Sequence, residues 1–278
     1  MGAPLEAQET LAKMPNPNSR RCRLHIRQQP RAARAGPDGK DRRAIDPPPI
    51  LQLLMNDFDP DSPDDVAEIQ SQFWIVHCRL VAGHAPDVDV STVHHTTEDG
   101  KKEVQRLLLG TWVASPTTTQ DDPDPQTMPS HPQTRPPTDP PPSPTTRFLP
   151  NPAEQGPGKA ARHPYQIPGC FFIFADISVR RAGEYRLHFT LMKMDETFLE
   201  KGSLLPCIHQ VTSEVFRVVN AKDFDQVQPS TNLVKGLLDR GAGFPLKLKK
   251  GTREGGRRRR QQSGENSDDD SRSEDNEY

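Results

Sequence analysis

The sequence is poor in the residues that build a large hydrophobic core. Apolar residues make up 32% and aromatic residues 6% of its 278 residues, whereas proline occurs 30 times. So little apolar material cannot order the whole chain, which predicts one domain with disordered attachments. There is no run of about 18 apolar residues, which excludes an ordinary transmembrane helix. The N-terminus lacks the apolar segment of a signal peptide, so we expect an intracellular protein without a membrane partner.

Catalytic motifs are absent as well. The sequence contains no GxSxG, no P-loop, no dinucleotide-binding glycine motif and no HExxH. Asp176 and Glu184 lie near loops, but neither is paired with a base or a nucleophile. We therefore expect a protein that is not an enzyme and that uses no cofactor and no small-molecule substrate.

Cysteine is rare, and its four positions are widely spaced in strand-like segments: Cys22, Cys78, Cys170 and Cys207. This usage predicts reduced core thiols and no disulfide framework. The co-ligands of an imagined zinc site would be the histidines nearest to them: His25, His77 and His209. None of these combinations has the CxxC or HxxxH spacing of a dedicated site, and alternation along a strand sends several of the side chains to opposite faces. No metal site is predicted.

Residues 168–191, PGCFFIFADISVRRAGEYRLHFTL, are the most informative part of the chain. They predict two strands joined by a loop that carries Arg180 and Arg181. Residues 171–177 are apolar on both faces, which indicates a strand inside a sandwich. From 185 to 191 apolar residues alternate with polar ones, the period-2 pattern of a half-buried antiparallel strand. In that register Phe189 points into the core and His188 points to solvent.

This segment resembles the signature of the velvet family of fungal developmental regulators, and three further stretches match the same family in the same order. They are RLHIRQQPRAARAGPDGKDRRAIDPPPILQL (23–53), LLLGTWVAS (107–115) and SEVFRVVNAKDFDQVQPSTNLVKGLLDRGAGFPLKLKKG (213–251). Within the family the chain most resembles the spore-viability branch, VosA. The resemblance implies an immunoglobulin-like β-sandwich similar to the Rel-homology domain of NF-κB. We therefore expect an all-β fold with minor α content.

Composition divides the chain into an expected disordered leader (1–19), a domain (20–251) and a disordered tail (252–278). Residues 115–164 hold 15 of the 30 prolines and almost no bulky apolar side chains. Such a stretch cannot bury enough surface to offset its ordering entropy, so it is predicted to be a disordered insertion within the domain. Near the end of the domain, Ser230 is expected to cap a short helix that runs through Leu238 and stops at Gly241.

The strongest candidate functional element is a basic loop between the first strand and the rigid triple proline at 47–49. Arginine forks suit both phosphate oxygens and the O6/N7 edge of guanine. The alternative is a solvated charged loop, but the velvet resemblance implies that DNA-contacting residues lie here. The candidate DNA-binding residues of this loop are Arg31, Arg34, Lys40, Arg42 and Arg43. Arg180 and Arg181 add further candidates, although pairing with Asp176 or Glu184 is an equal alternative for them.

A second basic cluster follows the domain and is typical of a nuclear import signal or a nonspecific phosphate binder. Its members are Lys247, Lys249, Lys250, Arg253, Arg257, Arg258, Arg259 and Arg260. The tail beyond 264 is acidic. It is an interaction segment, a partner that folds back on the basic cluster, or simply a solubilising tail.

These features predict a nuclear, sequence-specific DNA-binding regulator of development, sporulation, spore viability and secondary metabolism. Its expected partners are double-stranded DNA, the nuclear import machinery and a second velvet protein in a homodimer or heterodimer. The competing hypothesis is a nuclear interaction scaffold that regulates development through velvet partners without reading DNA.

Overall fold

The computed structural model describes residues 17–36, 43–96, 100, 102–133, 167–194, 205–224 and 229–242. They form short helices α1 (Pro17–Arg20), α2 (Pro63–Ile69) and α3 (Asn232–Asp239), with a 3-10 turn at Pro125–Thr127. The first strands are β1 (Cys22–Gln28), β2 (Ala32–Arg34), β3 (Arg43–Asp46), β4 (Ile50–Met55), β5 (Trp74–Ala82), β6 (Thr92–Thr96), β7 (Lys102–Arg106) and β8 (Leu108–Leu109). The others are β9 (Val113–Ala114), β10 (Thr117–Thr119), β11 (Gly169–Ile173), β12 (Ser178–Val179), β13 (Gly183–Lys193), β14 (His209–Thr212) and β15 (Phe216–Val219).

Two sheets share one hydrophobic core. The small sheet has the order β1-β4-β11-β10, and the large sheet has the order β3-β2-β15-β13-β5-β9 with β14 also paired to β13. Leu51 and Phe172 of the small sheet belong to the same buried cluster as Cys78 and Phe189 of the large sheet. Inward-facing apolar residues of both sheets therefore make the core of a sandwich. The expected all-β fold with minor α content is confirmed.

The two informative strands lie in opposite sheets. β11 is buried along its whole length and pairs with β4 and β10, while β13 pairs with β5, β14 and β15. Phe189 is fully buried, as predicted, and its ring lies 5.2 Å from that of Phe174. His188 lies on the opposite face, but the prediction that it is exposed is wrong, because Arg79 and Thr212 flank it on the adjacent strands and leave 9% of it accessible.

The prediction of a disordered insertion is wrong for residues 117–133. β10 pairs with β11 in the small sheet, and the imidazole of His131 stacks on Phe58 with 4.4 Å between ring centroids. Gly236 brings α3 so close to the carbonyl oxygen of Pro123 that a Cβ would clash there. Composition misjudged this stretch because its packing partners are supplied by distant strands and by α3. Residues 134–164 lie outside the described residues, so the remaining insertion and the domain boundaries stay predictions.

Local details differ from the sequence expectation at a few positions. The four cysteines are free thiols, and three are buried as expected, but Cys207 is exposed. Thr231, and not Ser230, caps α3, because its side chain accepts a hydrogen bond from the Val234 amide. In the part of the chain that the structure describes, no helix has the length and apolar character needed to span a membrane.

Candidate nucleic-acid interface

Strand register brings several basic loop positions to one end of the large sheet. Arg34, the last residue of β2, is paired with Arg43, the first residue of β3, and on its other side with Val219, the last residue of β15. Gly183, the first residue of β13, is paired with Val218. The loops that follow β2 and β15 and the loop that precedes β13 therefore emerge at the same end of the sandwich.

Arg180 and Arg181 belong to this end. They follow β12, which lies against β2 and β3, and the Ile45 amide donates a 2.9 Å hydrogen bond to the carbonyl oxygen of Ile177. Arg180 is half-buried, while Arg181 is exposed and donates to the amide oxygen of Gln105 at 2.6 Å. Among the described residues, the hydrogen-bond partner of the Arg181 side chain is thus a neutral amide.

The two carboxylates considered as partners of these arginines are engaged elsewhere. The carboxylate of Asp176 accepts hydrogen bonds from the amide and the hydroxyl of Thr111, at 3.0 and 2.8 Å. Glu184 lies 3.1 Å from the imidazole of His84. For Arg181, whose partner is Gln105, the alternative of pairing with either carboxylate is therefore wrong.

Arg31 is separated from the other candidates. It precedes β2, so it lies about 10 Å along the strand direction from Arg34. There it lines a cleft of about 660 Å³ together with Gln29, Asp124 and Glu214. Arg31 is exposed at the other end of this short strand, apart from Arg34 and Arg43, and its role as a DNA contact stays a prediction. Lys40, Arg42 and the whole cluster from 247 to 260 lie outside the described residues.

In the opening strand, apolar residues alternate with Arg23, His25 and Arg27, which predicts one basic face, but less of that face is exposed than this pattern predicts. A register shift between Ile26 and Gln28 interrupts the pairing of β1 with β4. Arg27, at the shift, lies on the same face as Gln52, but the stretch after β10 covers it there, and its guanidinium is 2.8 Å from the carboxylate of Asp122. Only Arg23 and His25 of this face remain exposed. Alternation assigns this side chain to the outer face, but it does not show that a distant segment covers it.

Sequence reasoning missed basic residues within the strands of the large sheet. Arg217 is exposed between the buried residues Phe216 and Val218, and Arg79 lies on the same outer face of the sheet. The available signal was the period-2 alternation of 216–219, which places Arg217 on the solvent side. This outer face thus continues from Arg34 across β15 and β13 to β5.

Among the described residues there is no cluster suited to a metal ion, and three of the four cysteine thiols are buried. No group of three or more histidine, cysteine or acidic residues in that part of the chain could hold an ion. Burial raises the pKa of the Cys22, Cys78 and Cys170 thiols far above their ordinary value, so these groups stay protonated.

Comparison with known proteins agrees with this organisation. The profile of the velvet factor family matches residues 22–251, which include every described strand. The chain belongs to the velvet family. The velvet match covers both sheets, the basic loop and α3.

Named relatives of this velvet chain are developmental regulators. The sexual development regulator velC of Penicillium rubens is 36% identical over 80% of this chain and 82% of its own length. The velC protein of Emericella nidulans is 35% identical over 80% of this chain, which spans 47% of that longer protein. The spore development regulator vosA of Beauveria bassiana is 27% identical over 82% of this chain and 66% of its own length. Identity is thus higher to these two velC proteins than to this member of the spore-viability branch.

Proposed function

We propose that this velvet chain is a nuclear, sequence-specific DNA-binding regulator of fungal development, sporulation, spore viability and secondary metabolism. The observation that carries the proposal is the convergence of Arg34, Arg43, Arg180 and Arg181 at one end of the sandwich. Lys40 and Arg42 belong to the chain segment between Arg34 and Arg43, so the paired ends of β2 and β3 hold both ends of that segment.

The arginines suit this role for two physical reasons. A guanidinium fork binds phosphate oxygens or the O6/N7 edge of guanine in a bidentate way, whereas a lysine ammonium acts as a point charge. In addition, a loop anchored on paired strands loses less conformational freedom on binding than a loop in a free tail. Phosphate contacts would position the duplex, and base contacts by the same loop would supply specificity.

Dimerisation is the second part of the proposal. A single short loop reaches few base pairs, so useful specificity requires two half-sites, each bound by one of two velvet chains. A relative from Chaetomium globosum, 29% identical over 83% of this chain and 38% of its own length, is named as a component of a velvet complex. A second velvet protein is therefore the proposed partner, either another copy of this chain or a related one.

Entry into the nucleus is assigned to the basic cluster at 247–260. Import receptors recognise short runs rich in lysine and arginine, and Arg257 to Arg260 form such a run. A fluorescent fusion in which these four arginines are alanine should remain outside the nucleus, and an unchanged nuclear signal would contradict the assignment.

The DNA proposal is tested with two variants that lose the same charge. R42A/R43A removes two candidate DNA contacts of the basic loop. R20A/R23A removes two exposed arginines near the start of β1, outside that loop. With a preferred duplex in gel-shift titrations, R42A/R43A should lose about 1 to 3 kcal/mol per contact and lower the salt slope by about two. R20A/R23A should keep both values near those of the natural chain.

The interaction scaffold makes the opposite prediction for the same variants. R42A/R43A would keep its genome-wide occupancy, because velvet partners would carry it to promoters. Equal affinity of both variants for the duplex would contradict the DNA-binding proposal and favour the interaction scaffold.

A further inference from the structure

A cluster of three cationic or titratable side chains lies on the outer face of the large sheet. His188 of β13 is directly opposite Arg79 of β5 on one side and Thr212 of β14 on the other. His77 lies two residues before Arg79 and therefore on the same face. Directly opposite residues in an antiparallel pair have their Cβ atoms about 5 Å apart. The two imidazoles and the guanidinium thus border a common surface.

Two polar atoms of this cluster are buried without a hydrogen bond within the part of the chain that the structure describes: Nε of Arg79 and Nε2 of His188. The other ring nitrogen of His188, Nδ1, lies 2.9 Å from the hydroxyl of Thr212. Nε2 is separated from Nδ1 by one ring carbon and does not share the contact with Thr212. Buried polar atoms without a partner are rare and often mark a site for an absent water, ion or ligand.

The charges around the cluster indicate which kind of ligand would suit it. Burial lowers the pKa of His188 and of His77, and the positive charge of Arg79 lowers both further. Asp89 acts in the opposite sense on both histidines and Asp87 does so on His188, but both carboxylates are exposed. One oxygen of Asp89 already accepts from the Ser91 amide at 2.8 Å. The cluster itself therefore contains a permanent positive charge and no carboxylate, while the two nearby carboxylates are exposed to solvent.

We propose that His77, Arg79 and His188 form a phosphate-binding site. The guanidinium fork can hold two oxygens of a phosphate group, and the Nε2 of His188 can donate to a third. Negative charge placed there would offset the repulsion between Arg79 and protonated imidazoles. The site rests on the geometry of the sheet alone. Only one of its two possible ligand sources, the DNA backbone, depends on the function proposed above; the other is free phosphate.

Continuity of the outer face makes a DNA phosphate a physically reachable source. β5, β13, β15 and β2 are neighbours in the sheet, so Arg79 lies three strand spacings, about 15 Å, across the sheet from Arg34. It also lies about 20 Å further along the strands, because Arg34 is level with the start of β13 and Arg79 is opposite His188. Arg217 lies between them on the same face. A duplex held at the Arg34 end could therefore reach the cluster with its backbone.

The first experiment titrates the full chain with inorganic phosphate and follows the imidazole resonances by NMR. The resonances of His188 and His77 are assigned from H188Q and H77Q. Both should move on phosphate binding in the direction of protonation. R79Q should raise the phosphate Kd about tenfold or more, and R217Q, which loses the same charge on the same face, should leave it within about twofold. If R79Q fails to fold by circular dichroism, R79K replaces it, because it keeps the charge and loses the fork.

Each outcome of the titration decides the proposal. Imidazole resonances of the natural chain that do not respond to phosphate overturn it without any variant. A Kd that is unchanged in R79Q or R79K also overturns it, since phosphate would then bind elsewhere. Loss of phosphate binding in R79Q with retention in R217Q supports it.

A second measurement separates the two sources of phosphate. If the site takes a DNA phosphate, R79Q should lower the salt slope of duplex binding by about one. If R79Q loses phosphate binding but keeps the salt slope of the natural chain for duplex binding, the site binds free phosphate and not the DNA backbone. If the natural chain binds phosphate but no duplex, the function proposed above fails and the site stands.

Discussion

The guanidinium of Arg27 and the carboxylate of Asp122 form an ion pair that is almost fully removed from water. Their side chains are 1% and 2% exposed, and Nη1 lies 2.8 Å from Oδ2. The same guanidinium donates to Gln52, to the backbone of Asp124 and to Thr127. This contact attaches the stretch after β10 to the centre of the small sheet.

Removing one member of this pair should be costly. We expect Asp122→Ala to lower the free energy of unfolding by about 3 to 5 kcal/mol, because the buried charge of Arg27 would lose its counterion. Asp121→Ala is the control, since its pair with Arg240 is 28% and 44% exposed, and surface pairs contribute about 0 to 1 kcal/mol. Urea denaturation measures the free energy of unfolding of both variants. Equal losses would show that the buried pair stabilises the fold no more than the surface pair does.

The proline-rich region should divide into a structural and a dispensable part. Replacing residues 134–164 by a short Gly/Ser linker should leave the thermal midpoint almost unchanged, because loop-closure cost grows slowly with length. Extending the deletion back to 117 removes β10, Asp122 and His131, so the midpoint should fall by more than about 10 °C, which corresponds to about 3 kcal/mol or more in a domain of this size. Calorimetry of the two deletions checks this, and equal midpoints would contradict it.

Phe189 should be more important for stability than its neighbour His188. Phe189→Ala empties space in the shared core and should cost about 3 to 5 kcal/mol. His188→Ala removes one hydrogen bond to Thr212 and a ring nitrogen without a partner among the described residues, so it should cost about 1 kcal/mol or less. Urea melts that rank the two substitutions in reverse would refute the assigned faces of β13.

Stability should fall as the solution is acidified below neutral pH. Burial lowers the pKa of five histidines below their ordinary value: His25, His77, His131, His188 and His209. A histidine with a lowered folded pKa binds more protons when unfolded, so its stabilising contribution is present above about pH 6.5 and is lost as the pH falls below that value. Chemical denaturation at pH 7 and at pH 5 should give a lower free energy of unfolding at pH 5.

His131 provides the matched variant for this pH effect. Its Nδ1 accepts a 3.0 Å hydrogen bond from the Met55 amide, so protonation of that nitrogen breaks the bond. His131→Asn keeps an acceptor that does not titrate, and the difference in stability between pH 7 and pH 5 should become smaller. An unchanged difference would exclude His131 from the pH response.

Local pattern in the sequence determined the strands, the core faces and the approximate place of the basic loop. Alternation at 185–191 identified Phe189 as a core residue, and the velvet motifs identified the family. These features are local, because the period of two reports the two faces of a strand without reference to the rest of the chain.

Tertiary structure alone decided which residues meet and how deeply they are buried. It buried Asp122 in a proline-rich stretch, separated Arg31 from Arg34, and enclosed the outward-facing His188 between Arg79 and Thr212. Composition and alternation assign a side chain to a face, whereas burial depends on which distant segments cover that face. Asp122 and Arg27 are 95 residues apart, and no local pattern encodes a contact over that separation.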